Sequence, residues 1–211
     1  MNSRLFTAFA ALSLFTSPAK AGTTIKLGAT VVDFEDVTAD IAVDHTSEKG
    51  SVQQVYDLDY AYKSGPKQMN RLYALGKINL ALGDQLYMVN VVKTQLDQYA
   101  PDQLVGATGL GYKILRTDTV KVSNEVTGGI MLVGPDTKPV VRNSLWARFN
   151  SGPYSLSNKM LTEYTGNTYL RNETELGYRL DKRLTVGLRN ILIRSPETKS
   201  NVTLVTLGLT L

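Results

Sequence analysis

Charged residues recur at every second position along several segments of this chain of 211 residues. In one segment the odd positions carry the charges and the even positions carry the apolar residues: Arg171, Glu173, Glu175 and Arg179 against Leu170, Leu176, Tyr178 and Leu180. Successive side chains of a β-strand point to opposite faces, so this spacing places the charges together on one face. Aligned arginines match the geometry of carboxylates, and the pattern therefore favours binding of small acidic solutes such as sugar acids.

The chain also contains one combination of residues that is known from catalysis. His45-Thr46-Ser47 includes the only histidine, at the His-x-Ser spacing in which a histidine activates a serine in some lipid hydrolases. No third residue is evident to orient the histidine. The carboxylates Glu173 and Glu175 need no glycosidase role, because strand alternation explains their spacing. The sequence predicts no enzyme, and a lipid-active barrel enzyme remains the third alternative.

The alternation extends over the chain after residue 21, and no long segment has the 3.6-residue period of a helix. Turn signals interrupt it at Glu35-Asp36, Lys49-Gly50, Gly65-Pro66, Gly83-Asp84, Pro101-Asp102, Thr117-Asp118, Pro135-Asp136, Gly152-Pro153, Gly166-Asn167, Asp181-Lys182 and Pro196-Glu197. Each strand with its turn takes about 16 residues, which accommodates the roughly 9–11 residues of a membrane-crossing strand. The pattern predicts an all-β fold, an antiparallel transmembrane β-barrel of twelve strands.

Composition excludes several other classes of protein. The chain has no cysteine and one histidine, which excludes a disulfide framework and leaves no basis for a zinc site or another cofactor. A mean hydropathy of −0.12 is too low for a helical membrane protein. No basic run with interleaved aromatic residues appears, and the sequence predicts no nucleic-acid partner.

Residues 1–21 have the features of a secretory signal peptide. Arg4 is followed by an apolar run from residue 5 to 15, and Ala19-Lys20-Ala21 is a small-x-small cleavage site. We expect the mature barrel to comprise residues 22–211 and to lie in the bacterial outer membrane, with lipid as its surroundings. Removal of Arg4 and Lys20 lowers the net charge from +4 by two.

If the apolar parity faces lipid, the charged parity faces the lumen. A soluble barrel with an apolar interior is the alternative, although charges on nearly every strand argue against it. The lumen-facing candidates are Asp40, Asp44, Asp57, Asp59, Arg71, Lys77, Lys113, Lys121, Glu125, Arg142, Arg148, Lys159, Glu163, Arg171, Glu173, Glu175, Arg179, Arg183 and Arg189. The four aspartates lie on strands two and three, roughly across the barrel from Arg142 and Arg148 on strand eight. This segregation predicts a transverse field across the lumen.

Two interpretations of these charges stay open. They line a water-filled pore for polar or anionic solutes, or they form a salt-bridged wall that closes a structural barrel without transport. Twelve strands lie between the small barrels that side chains fill and the wide ones that conduct freely, so size does not decide.

Aromatic residues are expected at the two membrane interfaces. The tyrosines assigned to this role, mostly on the apolar parity, are Tyr56, Tyr60, Tyr62, Tyr87, Tyr112, Tyr164 and Tyr178. Trp146 shares the charged parity, which places it in the lumen unless the register differs locally.

Several motifs resemble those of the salt-induced outer membrane protein family, a family of unknown function. They are Arg71-Leu-Tyr-Ala-Leu-Gly-Lys, Gly83-Asp-Gln-Leu-Tyr87, Asp97-Gln-Tyr99, Gly106-Ala-Thr-Gly-Leu-Gly-Tyr-Lys113, Arg116-Thr-Asp-Thr, Gly128-Gly129, Glu173-Thr-Glu-Leu-Gly-Tyr178 and Thr206-Leu-Gly-Leu-Thr-Leu211. Their order covers most of the mature chain. The resemblance implies an outer-membrane barrel, inserted by the barrel-assembly machinery, and no catalytic residue.

Overall fold

The computed structural model describes residues 20–33, 36–63, 69–97, 102–196 and 199–211. The predicted signal peptide lies almost entirely outside these residues, and only its last two positions are described. The strands are β1 (Lys20–Asp33), β2 (Asp36–Lys49), β3 (Val52–Lys63), β4 (Met69–Ala81), β5 (Leu86–Asp97), β6 (Gln103–Arg116), β7 (Val120–Val133), β8 (Asp136–Ser151), β9 (Tyr154–Tyr164), β10 (Thr168–Arg179), β11 (Leu184–Arg194) and β12 (Lys199–Thr210).

Each strand pairs antiparallel with the next, and β12 pairs with β1 to close the barrel. The prediction of an antiparallel barrel of twelve strands is therefore confirmed. Because the strand number is even, Lys20 and Thr210 lie at the same end, which we call the terminal end. The turns that follow β2, β4, β6, β8 and β10 also lie there, and the turns that follow the odd-numbered strands lie at the opposite end.

Tight turns join the strands where the sequence has glycine. Gly50 and Gly152 have φ values of 59° and 57°, and glycine adopts this left-handed conformation without steric cost. No helix in the described part of the chain is long and apolar enough to cross a membrane.

The two faces of the barrel wall differ in polarity as strand alternation requires. On β11, Leu188 is 50% exposed on the outer face, whereas the next residue, Arg189, is 4% exposed inside. Val205 on β12 is 65% exposed on the outer face. A water-soluble barrel would not present such a broad apolar exterior, and this surface is typical of contact with lipid.

Strands β5 to β8 depart from the rule of a polar interior near the opposite end. Val105, Met131 and Val140 pack together inside the barrel and are almost fully buried. Val89, on the inner face of β5 nearer the terminal end, is also fully buried. Among the described residues, apolar side chains of β6, β7 and β8 therefore fill this side of the lumen near the opposite end.

Candidate functional site

A cavity of about 510 Å³ occupies the interior from the terminal end to the middle of the barrel. Near the terminal end its wall includes Thr24 of β1 and Thr210 of β12. Its inner part is lined by Arg142 of β8 and Arg171 of β10. The inward parity of strands on all sides thus supplies a polar wall, because each strand turns every second side chain into the lumen.

Among the described residues, ten charged side chains line this cavity, and six of them are cationic: Lys26, Lys77, Arg142, Arg148, Lys159 and Arg171. The anionic ones are Asp57, Glu125, Glu173 and Glu175. A second cavity of about 350 Å³ lies against the terminal-end turns and is lined by Lys113, Arg116 and Lys121 with Glu48. The described lining therefore has a positive balance, which attracts anions.

A buried triad of Lys93, Glu163 and Arg142 lies beyond the inner part of the main cavity. Lys93 Nζ donates to Glu163 Oε1 and Oε2 at 2.7 and 2.6 Å. Arg142 Nε lies 2.7 Å from Glu163 Oε1. The three side chains are 3%, 4% and 6% exposed, so water does not screen this cluster.

Arg142 is incompletely satisfied in this triad. The short distance from its Nε to Glu163 makes an ion pair, but the angle does not make a hydrogen bond, and the buried Nε has no hydrogen-bond partner among the described residues. Since Arg142 also lines the cavity, an anion that entered from the terminal end would have a cation at its inner boundary.

A second cluster joins β3 to β10 and β11 across the lumen. Asp59 Oδ2 accepts from Arg171 at 3.0 Å and from Arg189 at 3.2 Å. Glu173 accepts from the same two arginines, at 3.3 Å from Arg171 and at 2.9 Å from the Nε of Arg189. The Arg171 guanidinium lies 5.2 Å from the ring centre of Tyr73. Two carboxylates and two guanidiniums thus neutralise one another in the middle of the barrel.

Three more ion pairs span the lumen closer to the terminal end. Lys26 donates to Glu175 at 2.7 Å, and Lys77 donates to Glu125 at 2.7 Å. Lys159 lies 3.5 Å from Asp57, although β9 and β3 are on opposite sides of the barrel. Lys159 is 46% exposed, so this pair is wet and weak.

Most residues predicted for the lumen belong to these cavities and clusters. The exceptions lie at the ends of strands or outside the described side chains. Arg179 donates to the carbonyl of Gly152 at the terminal rim, and Arg183 lies in the turn before β11, not on that strand as expected. Asp40, Asp44 and Arg71 occupy inward positions of β2 and β4, but their side chains lie outside the described part of the structure.

Two of the four aspartates expected to form a segregated acidic cluster are paired, and the side chains of the other two, Asp40 and Asp44, lie outside the described residues. Asp57 and Asp59 are neutralised by cations from the far wall, because β9 to β11 present Lys159, Arg171 and Arg189 at matching heights. Short-range pairing of this kind replaces a transverse field with local dipoles.

Sequence reasoning missed four charged residues of these cavities and clusters: Lys26, Glu48, Lys93 and Arg116. Lys93 stands on β5, where the inward residues Val89 and Val91 are apolar and conceal the inward parity. The signal in the sequence was that the two charged residues of β5, Lys93 and Asp97, share one parity.

Among the aromatic residues, Trp146 lies in the lumen and lines both cavities. Tyr164 and Tyr178 are outward and exposed, as expected. Tyr87 is wrongly placed by the sequence analysis, because it is 4% exposed inside the barrel and its hydroxyl donates to Glu125 at 3.0 Å. An inward tyrosine is needed there to satisfy the carboxylate beside Lys77.

The residues of the His-x-Ser motif have other partners. His45 Nδ1 is 2.8 Å from the hydroxyl of Thr23, and the ring stacks on Tyr56 with centroids 6.1 Å apart. Ser47 donates to Gln54 at 3.4 Å. The hydrogen bonds described for His45 and Ser47 therefore go to Thr23 and Gln54 and not to each other.

Neither a protein-family model nor a curated protein matches the sequence. Solved structures do match. The NanC porin has a TM-score of 0.58 at 9% identity, over 89% of this chain and 97% of that one. The KdgM porin in complex with disordered oligogalacturonate has a TM-score of 0.54 at 6% identity, over 89% and 97%. The translocator domain of the autotransporter NalP from Neisseria meningitidis has a TM-score of 0.50 at 11% identity, over 98% and 92%. The chain has the fold of porin-like outer-membrane barrels.

Proposed function

We propose that this protein is a small outer-membrane pore for polar, anionic solutes. The observation that carries the proposal is the cavity whose described lining is rich in cations and whose inner boundary is the buried cation Arg142. Oligogalacturonate, recorded with the KdgM porin, is an acidic sugar chain, which supports a sugar acid as the solute class. We also infer that the chain belongs to the salt-induced outer membrane protein family and is exported by residues 1–21.

The cations form a path along which a solute carboxylate moves from the terminal end toward the middle of the barrel. Arg148 and Lys159 are the exposed ones, and Arg142 and Arg171 are the inner ones. A solute carboxylate first meets the exposed cations and then competes with Glu163 and Glu173 for the inner arginines. The buried triad and the Asp59 cluster are the constriction of this pore, and the solute must separate their ion pairs to pass.

Conductance of the purified protein in a planar bilayer tests the proposal. We expect small, anion-selective steps that added sugar acids block and neutral sugars do not. Trp146 supplies a second readout, since it is the only tryptophan and lines the cavity. Its fluorescence should change as a sugar acid is titrated in, and a matched neutral sugar serves as the control.

A closed structural barrel is the second candidate, and the buried interior favours it. The triad is at most 6% exposed, and Val105 and Val140 fill the lumen near the opposite end. A folded, heat-resistant barrel that is electrically silent in bilayers with and without sugar acids would establish this alternative and end the pore proposal.

A further inference from the structure

Polar side chains form a belt on the outer face of β5 to β12, where a membrane barrel is expected to be apolar. The belt consists of Asn90, Thr108, Asn124, Asn143, Asn158, Asn172, Thr174, Asn190, Asn201 and Thr203. All have the same parity as the exposed apolar residues of their strands, such as Leu156 on β9 and Leu188 on β11. They therefore face outward and not into the lumen.

Strand register arranges part of the belt into two rows, and between them Asn124 and Asn158 have the apolar neighbours Leu145 and Ala147 on β8. Asn158, Thr174, Asn190 and Thr203 are direct cross-strand neighbours on β9, β10, β11 and β12. Asn90 and Thr108 are neighbours in the same way on β5 and β6. The arrangement is a lateral surface of the barrel and not a scatter of separate polar residues.

The belt lies in the middle of the membrane-facing wall. On β9, Asn158 stands between Tyr154 and Tyr164, both outward and more than half exposed near the two ends of the strand. Outward tyrosines near strand ends mark the two headgroup levels. Asn158 and its row are thus at the depth of the hydrocarbon, where no water is present to satisfy an amide.

Pairing within the barrel satisfies these amides to different extents, and Asn190 donates to Asn201, Thr203 and the carbonyl of Val202. Asn124 and Asn143 each donate one N–H to the other, at 3.2 and 3.3 Å. Asn158 donates to Asn172 at 2.7 Å and to Thr174 at 2.9 Å. A primary amide has two N–H donors and two acceptor sites, so the reciprocal Asn124–Asn143 pair leaves one N–H of each amide unused between them.

The outer face of β1 to β3 provides an internal contrast. Leu27, Ile41 and Leu58 stand on its outward parity, and the first two are about half exposed. Nearer the terminal end the outward parity of this sector carries His45, Ser47 and Gln54. The outer face is therefore apolar around Leu27 and Ile41 and carries polar residues near the middle of the strands on β5 to β12.

We propose that the belt is an interface at which a second copy of this chain docks. Amides are self-complementary, since each carries donors and acceptors, and the membrane holds identical barrels at one depth so that their belts meet. A contact between two cylinders of equal width covers only a few strands, so a belt over eight strands accommodates a neighbour on each side. The proposal rests on the outer-membrane location and not on the pore.

Single cysteines test this directly, because the chain has none of its own. Asn143→Cys, Asn158→Cys and Asn190→Cys are reconstituted separately in phosphatidylcholine vesicles at low protein-to-lipid ratio and oxidised. Leu27→Cys and Ile41→Cys are the matched controls on the apolar sector. We expect disulfide-linked dimers from belt positions at several-fold the control yield. Equal yields in the two sectors would overturn the proposal.

Native mass spectrometry of the wild type and of Asn158→Leu with Asn190→Leu gives the second measurement. We expect an oligomer for the wild type and a folded monomer for the double variant, with folding checked by the heat-shifted gel band. A wild-type protein that is monomeric at every protein-to-lipid ratio would refute the interface. If the double variant fails to fold, the cysteine yields decide. Conductance plays no part in either readout, so failure of the pore and failure of the interface are separate results.

Discussion

Glu163 is the residue on which the middle of the lumen depends, because Lys93 and Arg142 share it as their carboxylate. Glu163→Gln leaves two buried cations without a counter-charge and should destabilise the barrel by about 3–5 kcal/mol. Urea titration of the folded and unfolded gel bands measures the change.

Lys159→Gln is the matched control for that variant. It removes an ion pair of similar chemistry, with Asp57, but Lys159 is 46% exposed and its pair is screened by water. We expect a loss below about 1 kcal/mol. Equal losses of stability in the two variants would mean that the triad is as exposed to water as the Lys159–Asp57 pair.

The carboxylate of Asp181 stabilises the turn between β10 and β11. It accepts from the amides of Arg183 and Leu184 at 2.6 and 2.7 Å, and these bonds hold the pKa of Asp181 below its ordinary value. Because the pKa is lowered on folding, the contribution to stability is present above the unfolded pKa of about 4 and is lost as the pH falls through the folded pKa. Asp181→Asn should therefore be less stable than the wild type at pH 7, and the gap should shrink toward pH 3. Urea midpoints at the two pH values test this.

Individual side-chain partners were beyond the reach of the sequence. The inward parity identified Arg171 and Arg189, but not that both would bind Asp59 from the far wall. Such partners depend on the stagger that accumulates around all twelve strands, and a local pattern does not specify it.

At the scale of one strand, β11 allows the two faces of the wall to be compared with the same substitution. Leu188→Arg places a charge on the outward face and should cost roughly 2–4 kcal/mol near the bilayer midplane. Thr185→Arg places it on the inward face beside the cavity and should change stability by about 1 kcal/mol or less. Arg189→Gln is a poor control, because Arg189 is bound to Asp59 and Glu173. Urea titration distinguishes the faces, and equal costs would contradict the assignment of lipid and lumen sides.

Glycines set the close approach of β6 and β7. A Cβ on Gly109 would lie 2.0 Å from the carbonyl oxygen of Val126, whereas a Cβ on Gly106 would meet nothing within 4 Å. Gly109→Ala must push backbone apart and should cost about 1–3 kcal/mol or more. Gly106→Ala should change stability by less than about 0.5 kcal/mol. Refolding yield and urea midpoints provide the test, and a neutral Gly109→Ala would show that the seam can widen.

The elements themselves were predictable because two local signals agreed. Period-two alternation identified strands, and turn residues such as Gly152 and Gly166 separated them at the right places. On β5 the alternation is inverted only at Val89 and Asn90, because Val89 packs inside the barrel with Tyr87 and Val91. A pattern that assumes a polar interior does not anticipate this.

At the scale of the whole molecule, the proposed pore predicts different results for its two arginines on β8. Arg148 is exposed near the cavity mouth, so Arg148→Glu should shift the reversal potential toward cations with little loss of stability. Arg142→Glu brings a second carboxylate to buried Glu163. It should lower the free energy of unfolding by about 3–5 kcal/mol, as other broken buried ion pairs do. Bilayer recordings and urea titrations on the same preparations test both. An unchanged reversal potential for folded Arg148→Glu would argue against this path.

The closure of the barrel between β1 and β12 is shorter than its other ladders. Register pairs run only from Thr24–Thr210 to Ala29–Val205, six in all, whereas β7 and β8 have fourteen. Beyond Ala29 the two strands give no further pairs among the described residues, so their edges separate toward the opposite end. Amide protons at this seam should exchange with deuterium sooner than those between β7 and β8. Unfolding of the barrel would then begin with the separation of β1 from β12 and proceed from that seam to the neighbouring strands.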